Sequence, residues 1–346
     1  MRQAARKLRD AAVQRVGASA LVLTYHRVID LAFDPQLLAV SPDHFAAQMR
    51  LLCERCRVVP LGELMAAVRE RRLAPGTVAV TFDDGYADNL ENAAPVLAAS
   101  AVPATVFVSS GCIEAGREFW WDELERLVLG DWPLPDEIAL EVPGITFSAR
   151  VDALADAPAD PRWNVLEPDA TAREHLYREL NAFLRPLGFS QRADALAQLG
   201  AQLHAEPEVR AAHRPLTPAE VAQIDAAPFV EIGAHSRNHD VLALLAPAEQ
   251  TDAVRSDKAA LEALCGRSIE TFSYPFGGRS DFSLTTEDIV KDAGFLGACA
   301  NYPGLVKPWT DPYRLPRHVV RNWDEVTFAA RLQEWLGAPA AETGRR

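Results

Sequence analysis

Alternating strand and helix patterns run through most of this sequence, and they restrict the fold more than any other feature. Apolar runs typical of buried strands, such as residues 21–26 (LVLTYH) and 77–82 (TVAVTF), alternate with amphipathic stretches typical of helices. Nearly continuous apolar strands separated by helices predict a parallel sheet covered by helices. A βα-barrel and a doubly wound sheet both satisfy this pattern.

Several helix ends are marked by residues with a known preference for them. Ser41 and Pro42 fit the N-cap and first position of one helix, and Gly266 fits the C-terminal end of another. Thr217 and Glu220 have the spacing of a capping box, so a further helix is expected to begin there.

One block interrupts the alternation and is predicted to be a helical insertion. Residues 119–216 are rich in alanine, proline and charge and contain mainly helical patterns, of which 171–188 is the clearest. The predicted organisation is therefore a basic N-terminal helix (1–20), a first part of the α/β unit (21–118), the insertion (119–216), a second part with a C-terminal helix (217–337) and a tail (338–346).

Charge and composition limit the partners and the location. The chain has 35 basic and 48 acidic residues, a net charge of −13, so no nucleic-acid partner is expected. Residues 1–17 carry five basic side chains on an amphipathic pattern. Such a helix can make peripheral contact with an anionic membrane, although a solvated helix packed on the body is the interpretation we favour. Without a secretory pattern or a membrane-spanning apolar run, we expect a cytoplasmic protein, at the inner membrane surface if this helix binds lipid.

Two adjacent carboxylates, Asp83 and Asp84, end the strand at 77–82. Reactive residues of parallel α/β proteins gather at the carboxyl ends of strands, and Gly85 lets the backbone turn sharply there. Two charges at this place are costly unless a cation or a reaction uses them. A helix cap would explain only one of them, and Asp88 is the better-placed cap.

Two further strand ends carry candidate site residues. His235 and His239 are four positions apart, so a helical turn would put both imidazoles on one face. Together with a carboxylate from another strand end they would form a three-ligand set with open positions, as in catalytic metal sites. The turn at Pro275, Phe276 and Gly277 can aim a backbone N–H into the same cleft.

In this order, the three stretches resemble the polysaccharide deacetylases, the NodB homology domain of carbohydrate esterase family 4. The T-F-D-D-G motif is matched by 81–85 and the H-[ST]-x-x-H motif by 235–239. The third motif, R-x-P-[YF]-G, is matched by 275–277, but Ser273 stands where the family has arginine. The resemblance covers about residues 20–118 and 217–330, and it implies an α/β fold, a distorted (β/α) barrel of the NodB-homology type with the helical insertion added.

The resemblance also implies roles for the site residues. Asp84, His235 and His239 would hold a divalent metal, with Zn²⁺ as the expected ion, and Asp83 would be the general base. The backbone around Phe276, within the Pro275–Gly277 turn, would stabilise the oxyanion.

Three parts of the implied site have more than one candidate. The base would be oriented by Arg279, Arg314 or Arg317 in place of the missing arginine. His318, in a loose match to the last family motif, and His26, at a strand end, are the candidates for the general acid; each could instead be structural. Trp120 and Trp121 either belong to the core, which we favour, or stack on a sugar ring.

The activity implied is that of a metal-dependent hydrolase that removes N-acetyl groups from a GlcNAc-containing polysaccharide, oligosaccharide or glycolipid. The partner would therefore be an acetylated amino-sugar glycan. Two alternatives are an O-acetyl esterase or a deformylase acting on a sugar that can be lipid-linked. A third is a catalytically idle carbohydrate-binding domain. Motifs of serine hydrolases, P-loop proteins and dinucleotide oxidoreductases are absent from the sequence.

Overall fold

The computed structural model describes residues 19–151 and 157–336. The strands are β1 (Ala20–Tyr25), β2 (Arg27–Val28), β3 (Ala39–Val40), β4 (Arg57–Val58), β5 (Thr77–Phe82), β6 (Ala104–Val108), β7 (Glu137–Val142), β8 (Ile145–Arg150), β9 (Val230–Ala234), β10 (Thr271–Ser273), β11 (Gly297–Cys299) and β12 (His318–Val319). The α-helices are α1 (Pro42–Arg55), α2 (Leu61–Arg69), α3 (Ala94–Ser100), α4 (Ser110–Ala115), α5 (Trp120–Val128), α6 (Ala172–Leu184), α7 (Phe189–Gln202), α8 (Pro218–Asp225), α9 (Pro247–Cys265), α10 (Leu284–Asp292) and α11 (Glu325–Leu336).

Two predicted segments lie outside the described residues. Apart from its last two residues, the basic N-terminal helix at 1–20 is not described, and neither is the tail at 338–346. Membrane contact through that helix and the cytoplasmic location therefore stay predictions. Among the described helices, none has the length and apolar character needed to cross a bilayer.

The main sheet is an eight-stranded parallel sheet in the order β11-β10-β9-β6-β5-β1-β12, with β4 also paired to β5. The two edges of this sheet approach each other through one short segment. Leu315 forms a parallel bridge to Cys299 of β11, and His318 in β12 pairs with Leu23 of β1. The sheet is thus curled into a distorted barrel surrounded by helices, which confirms the predicted α/β fold.

The predicted helix ends are confirmed by their caps. The Ser41 hydroxyl accepts a hydrogen bond from the backbone N–H of His44 at 3.2 Å, and Pro42 is the first helical residue. Thr217 and Glu220 form a reciprocal capping box at the start of α8. Gly266 ends α9 with a φ of 67°, a left-handed conformation that glycine adopts at little cost.

In its described residues, the insertion contains the α-helices α5, α6 and α7, a short 3-10 helix (Ala211–His213) and an antiparallel hairpin that the helical prediction did not include. Strands β7 and β8 of this hairpin pair along their whole length. Ile138, Leu140 and Val142 alternate with exposed residues, so only one face of the hairpin is buried. These side chains join a hydrophobic cluster with α5, α6 and α7 that is separate from the main core.

The barrel brings the predicted site residues to one place because its strands are parallel. His26 follows β1, Asp83 and Asp84 follow β5, and His235 follows β9. The carboxyl ends of these strands meet at the same edge of the sheet. Residues far apart in the sequence therefore share one end of the barrel.

Candidate active site

Asp84, His235 and His239 converge into a group that could hold a metal ion. Their ligand atoms lie within 4.8 Å of one another, and all three side chains are buried. Oδ1 of Asp84 is 3.6 Å from Nε2 of His235 and 3.3 Å from Nε2 of His239. Two imidazoles and one carboxylate suit a divalent ion such as Zn²⁺ and leave coordination positions for water or substrate.

The two histidines come together on a loop, whereas the sequence interpretation considered a helical turn. No helix covers the residues from 235 to 239, and Ser236 and His239 have left-handed φ values of 62° and 53°. Asp84 is also left-handed, with a φ of 75°. Such conformations are strained for residues with a Cβ atom and persist when the surrounding structure holds them. Two of the three proposed ligands, Asp84 and His239, are therefore held in strained backbone conformations.

His235 is fixed in one orientation by its surroundings. Its Nδ1 lies 2.7 Å from the carbonyl oxygen of Ser273, so Nδ1–H donates there and Nε2 is the ring nitrogen that faces Asp84. The backbone N–H of His235 donates to Oδ2 of Asp257 at 3.0 Å, and that of Ser110 donates to Oδ1 at 2.8 Å. Burial raises the pKa of Asp257 to about 6.

His239 lies among aromatic rings. The centroid of its imidazole is 5.0 Å from that of Trp121 and 4.7 Å from that of Phe276, both in edge-to-face contact. The Arg185 guanidinium covers the Phe276 ring at 4.3 Å. The carbonyl of His239 accepts a hydrogen bond from Arg192 at 3.3 Å. These contacts restrict the imidazole to the side of the cavity where Asp84 lies.

Asp83 is held by Arg317, the residue that sequence reasoning could not separate from two other candidates. Nη1 and Nη2 of Arg317 donate to the two carboxylate oxygens of Asp83 at 2.8 and 2.6 Å. Nη2 also donates to the hydroxyl of Ser273 at 2.9 Å, at the position where the third motif lacks its arginine. Burial by itself raises the pKa of Asp83, but the guanidinium outweighs it, so the net pKa is lowered.

The other two arginine candidates have different partners. Arg279 stacks on the ring of Tyr302 at 4.1 Å, and Nε of Arg314 pairs with the carboxylate of Glu287 at 2.5 Å. Arg317, Val319 and Arg321 alternate along the last strand and its continuation. Residues two apart in an extended chain point to the same side, but the sequence alone does not show that this side faces Asp83, so the alternation does not single out Arg317.

The two histidine candidates for the general acid are placed differently. His26 is one of the side chains that line the cavity with Asp83 and Asp84. Burial lowers the pKa of its imidazole, opposed by the charges of those two carboxylates. The ring of His318 instead packs on Trp335 of α11, with centroids 4.5 Å apart, and does not line the cavity. The structure thus brings His26, and not His318, to the site.

Of the turn at Pro275, Phe276 and Gly277, only Phe276 lines the cavity. Gly277 has a φ of 67°, and a Cβ atom added there would lie 2.7 Å from the backbone nitrogen of Asn301. No other residue could take its place without displacing that backbone. The glycine therefore fixes the turn that presents Phe276.

The cavity has a volume of about 340 Å³ and is walled partly by the insertion. The insertion contributes Trp120, Trp121, Asn181 and Arg185. Trp121 is only 6% exposed and donates to the hydroxyl of Tyr86 at 2.7 Å, as expected for a core residue. Trp120 is partly exposed, which leaves part of its ring free to contact a ligand.

A second group that could hold a metal, formed by Asp122, Glu125 and His213, already has cationic neighbours. Arg210 pairs with Glu125 at 2.8 Å, and Arg27 lies 3.3 Å from Nδ1 of His213. These guanidinium groups already supply positive charge beside the cluster, so we do not assign it an ion.

Comparisons with known proteins agree with this geometry. The family model described as "polysaccharide deacetylase" matches residues 70–134 and 195–298. No curated protein matches the sequence significantly.

Three of the solved structures that this chain resembles illustrate the shared fold. The deacetylase PplD of Streptococcus pyogenes, in complex with acetate, is 15% identical with a TM-score of 0.56 over 91% of this chain and 98% of its own. IcaB of Ammonifex degensii is 18% identical with a TM-score of 0.57 over 93% and 98%. A de-N-acetylase of Aggregatibacter actinomycetemcomitans is 14% identical with a TM-score of 0.52 over 91% and 99%.

At these identities the structural matches establish the fold alone. The family match includes the Asp83–Asp84 pair in its first segment and both His235 and His239 in its second. Fold, family match and the convergence of these side chains lead to the same assignment, and this chain belongs to the polysaccharide deacetylase family.

Proposed function

We propose that this protein is a metal-dependent hydrolase that removes N-acetyl groups from an acetylated amino-sugar glycan. One observation carries the proposal: Asp84, His235 and His239 converge in the same cavity as Asp83, whose carboxylate is clamped by Arg317. The names of the structural relatives, a deacetylase and a de-N-acetylase among them, support the same reaction class.

The donor set favours Zn²⁺ over a hard ion such as Mg²⁺, which is seldom bound through imidazole. When bound, a divalent ion supplies Lewis acidity for the acetamide carbonyl and lowers the pKa of a water molecule. His235 is prepared for this role because its Nδ1–H is committed to the carbonyl of Ser273, which keeps Nε2 available.

Asp83 is proposed to accept the proton of the attacking water. Its lowered pKa keeps the carboxylate ionised at neutral pH, and Arg317 fixes its orientation through both oxygens. Each oxygen retains a second lone pair for the incoming proton. The arginine thus makes Asp83 a weaker base than a free carboxylate but one that is already oriented.

Two other groups would complete the reaction. Phe276 lines the cavity, and its backbone N–H is proposed to stabilise the negative oxygen that forms on the acetamide carbon. His26 is proposed to give a proton to the leaving amine. The products are acetate and the free amine of the sugar.

The same cavity would also suit cleavage of an O-acetyl ester or an N-formyl group. These alternatives differ from N-deacetylation only in the bond cleaved, so substrates and not geometry distinguish them. We favour a catalytically idle carbohydrate-binding domain less, because carbohydrate binding alone does not require a carboxylate held by an arginine beside three potential metal ligands.

The test is metal analysis of the purified protein followed by acetate and formate release from N-acetyl, O-acetyl and N-formyl amino sugars. We expect about one equivalent of a divalent metal and acetate release from N-acetyl substrates that stops in chelator and returns with Zn²⁺. Acetate release that is undiminished in chelator would exclude the metal-dependent mechanism. Metal-loaded protein that releases nothing from any substrate would favour the idle domain.

A further inference from the structure

Arg321 places a guanidinium in the wall of the cavity that holds the candidate metal ligands. Its Nη1 donates to two backbone carbonyls, those of Gln36, at 3.4 Å, and Leu37. These bonds tie the side chain to the segment between β2 and β3. The cation is therefore held at the cavity wall by neutral acceptors.

Arg321 differs from the other arginines around the cavity in having no carboxylate partner. Arg317 pairs with Asp83 at 2.6 Å, and Arg185 pairs with Asp281 at 2.7 Å. Within the described part of the chain, no carboxylate lies within ion-pair distance of Arg321. Its Nε and Nη2 groups likewise have no acceptor among the described residues.

The carboxylate that acts on Arg321 from a longer distance is that of Asp34, and it is already engaged. Its two oxygens accept hydrogen bonds from the backbone N–H groups of Leu38 and Ala39 at 2.9 and 2.8 Å. Burial lowers the pKa of Arg321, and the charge of Asp34 only partly opposes this. The pKa of Arg317, beside its own carboxylate, is raised instead.

The charges of the cavity consequently do not balance. Asp83 with Arg317 and Asp281 with Arg185 are neutral pairs, and Asp84 faces the proposed ion. Arg321 adds a positive charge to a protein whose net charge is −13. A partly buried guanidinium without a counter-charge is costly, and a planar fork of free N–H donors matches a carboxylate or a phosphate.

We propose that Arg321 binds an anionic group of the substrate, so that the preferred substrate is an acetylated amino sugar with a phosphate or carboxylate on the same or the adjacent unit. This inference rests on the proposed function for the position of the acetamide. It adds a specificity that neither the metal ligands nor Asp83 would provide. An internal unit of a neutral homopolymer would leave Arg321 unpaired.

The test compares four substrates with the metal-loaded, full-length protein. They are a neutral N-acetylglucosaminyl-glucose disaccharide, its counterpart with glucuronic acid in place of glucose, N-acetylglucosamine 6-phosphate and the methyl phosphodiester of N-acetylglucosamine 1-phosphate. We expect kcat/KM to be at least about 10-fold higher for an anionic substrate than for the neutral disaccharide, as charge-assisted hydrogen bonds allow. Whether a phosphate or the carboxylate is preferred identifies the anion.

Variants at Arg321 separate recognition of the anion from general damage. In Arg321→Gln the preference of kcat/KM for an anionic substrate over the neutral disaccharide should fall to within about 2-fold, and the preference in Arg321→Lys should lie between those of the wild type and of Arg321→Gln. Arg331→Gln removes an exposed arginine of α11 that pairs with Glu334 and serves as the charge control. Equal rates on neutral and anionic substrates in the wild type, or an equal loss on all substrates in Arg321→Gln, would overturn the inference.

A binding measurement keeps the inference testable if no substrate is turned over. Calorimetry with the same four sugars would use the Asp83→Asn protein with and without Arg321→Gln, each checked for an unchanged melting temperature. We expect the anionic sugars to bind at least about 10-fold more weakly after Arg321→Gln. Anionic sugars that bind no more tightly than the neutral disaccharide would refute the role of Arg321, whereas absent turnover alone would refute only the proposed reaction.

Discussion

Arg317 and Asp83 form a bidentate ion pair inside the barrel, although 234 positions separate them in the sequence. The same guanidinium contacts the hydroxyls of Thr81 and Ser273 and the carbonyl of Ala300. Arg317 therefore links β5, β10 and the residue after β11 around one carboxylate. Both members of the pair are almost fully buried, so loss of either partner would leave an uncompensated charge.

The first prediction concerns this pair. Arg317→Lys keeps the positive charge but loses the bidentate contact with Asp83. We therefore expect kcat to fall about 10- to 100-fold, with the metal content unchanged. The pKa of Asp83 should rise, because part of the compensation is lost, and the acidic limb of the kcat/KM profile should move to higher pH. Ser273→Ala, which removes one neutral acceptor of Arg317, is the control and should have a smaller effect. An unchanged acidic limb in Arg317→Lys would contradict the assignment of Asp83 as the base.

A second prediction separates the two adjacent carboxylates. Asp84→Asn should lose most of the bound metal, because the amide is a poor ligand in place of the carboxylate. Asp83→Asn should keep the metal and lose turnover by at least about 100-fold, since it removes only the proposed base. Metal content by mass spectrometry and acetate release measure the two effects. Similar metal loss in both variants would show that the two roles are not divided in this way.

The third prediction compares the two histidines. His26→Gln should lower kcat about 100-fold or more, because the cavity loses the proposed proton donor. His318→Gln should leave kcat near that of the wild type and lower the melting temperature slightly, because the imidazole packs on Trp335 outside the cavity. A larger loss of kcat in His318→Gln than in His26→Gln would assign the role of proton donor to His318 instead.

The fourth prediction is a pH dependence of stability. Burial raises the pKa of Asp257 to about 6, so between about pH 4 and 6 the folded protein retains a proton that the unfolded chain releases. The contribution of Asp257 to the free energy of unfolding is therefore present at low pH and decreases by about 3 kcal/mol as the pH rises through this range.

Asp257→Asn isolates this contribution because asparagine does not titrate. Urea unfolding of both proteins from pH 4 to 7 should show the free energy of unfolding of the wild type falling relative to that of the variant. A difference that stays constant with pH would mean that the pKa of Asp257 is not raised. The change in other carboxylates is common to both proteins and cancels in the comparison.

Much of the site could be predicted because its motifs stand at strand ends. The pairing of Asp83 with Asp84 and the spacing of His235 and His239 are local in the sequence, and parallel strands bring local motifs to one edge. The partner of Asp83 is not local. Its identification needs the register of β12 beside β1, which depends on tertiary packing and not on any nearby residue.

Three other features of the structure could not be predicted from the sequence, for similar reasons. The hairpin of β7 and β8 buries one face only, and its short alternation is easily hidden in a block of helical patterns. The loop at His235 to His239 depends on left-handed residues that no composition rule specifies. Arg321 lies four positions after Arg317, so in an extended chain the two side chains point to the same side. That this side faces the cavity becomes evident only when the register of β12 beside β1 is known.

The position of Arg317 after all three potential metal ligands in the sequence has a consequence for biosynthesis. A growing polypeptide that has left the ribosome as far as α9 already contains all three potential metal ligands but not the arginine that orients the base. Metal binding and the acquisition of catalytic competence would then be separate events, and the second would follow only when the segment around β12 pairs with β1.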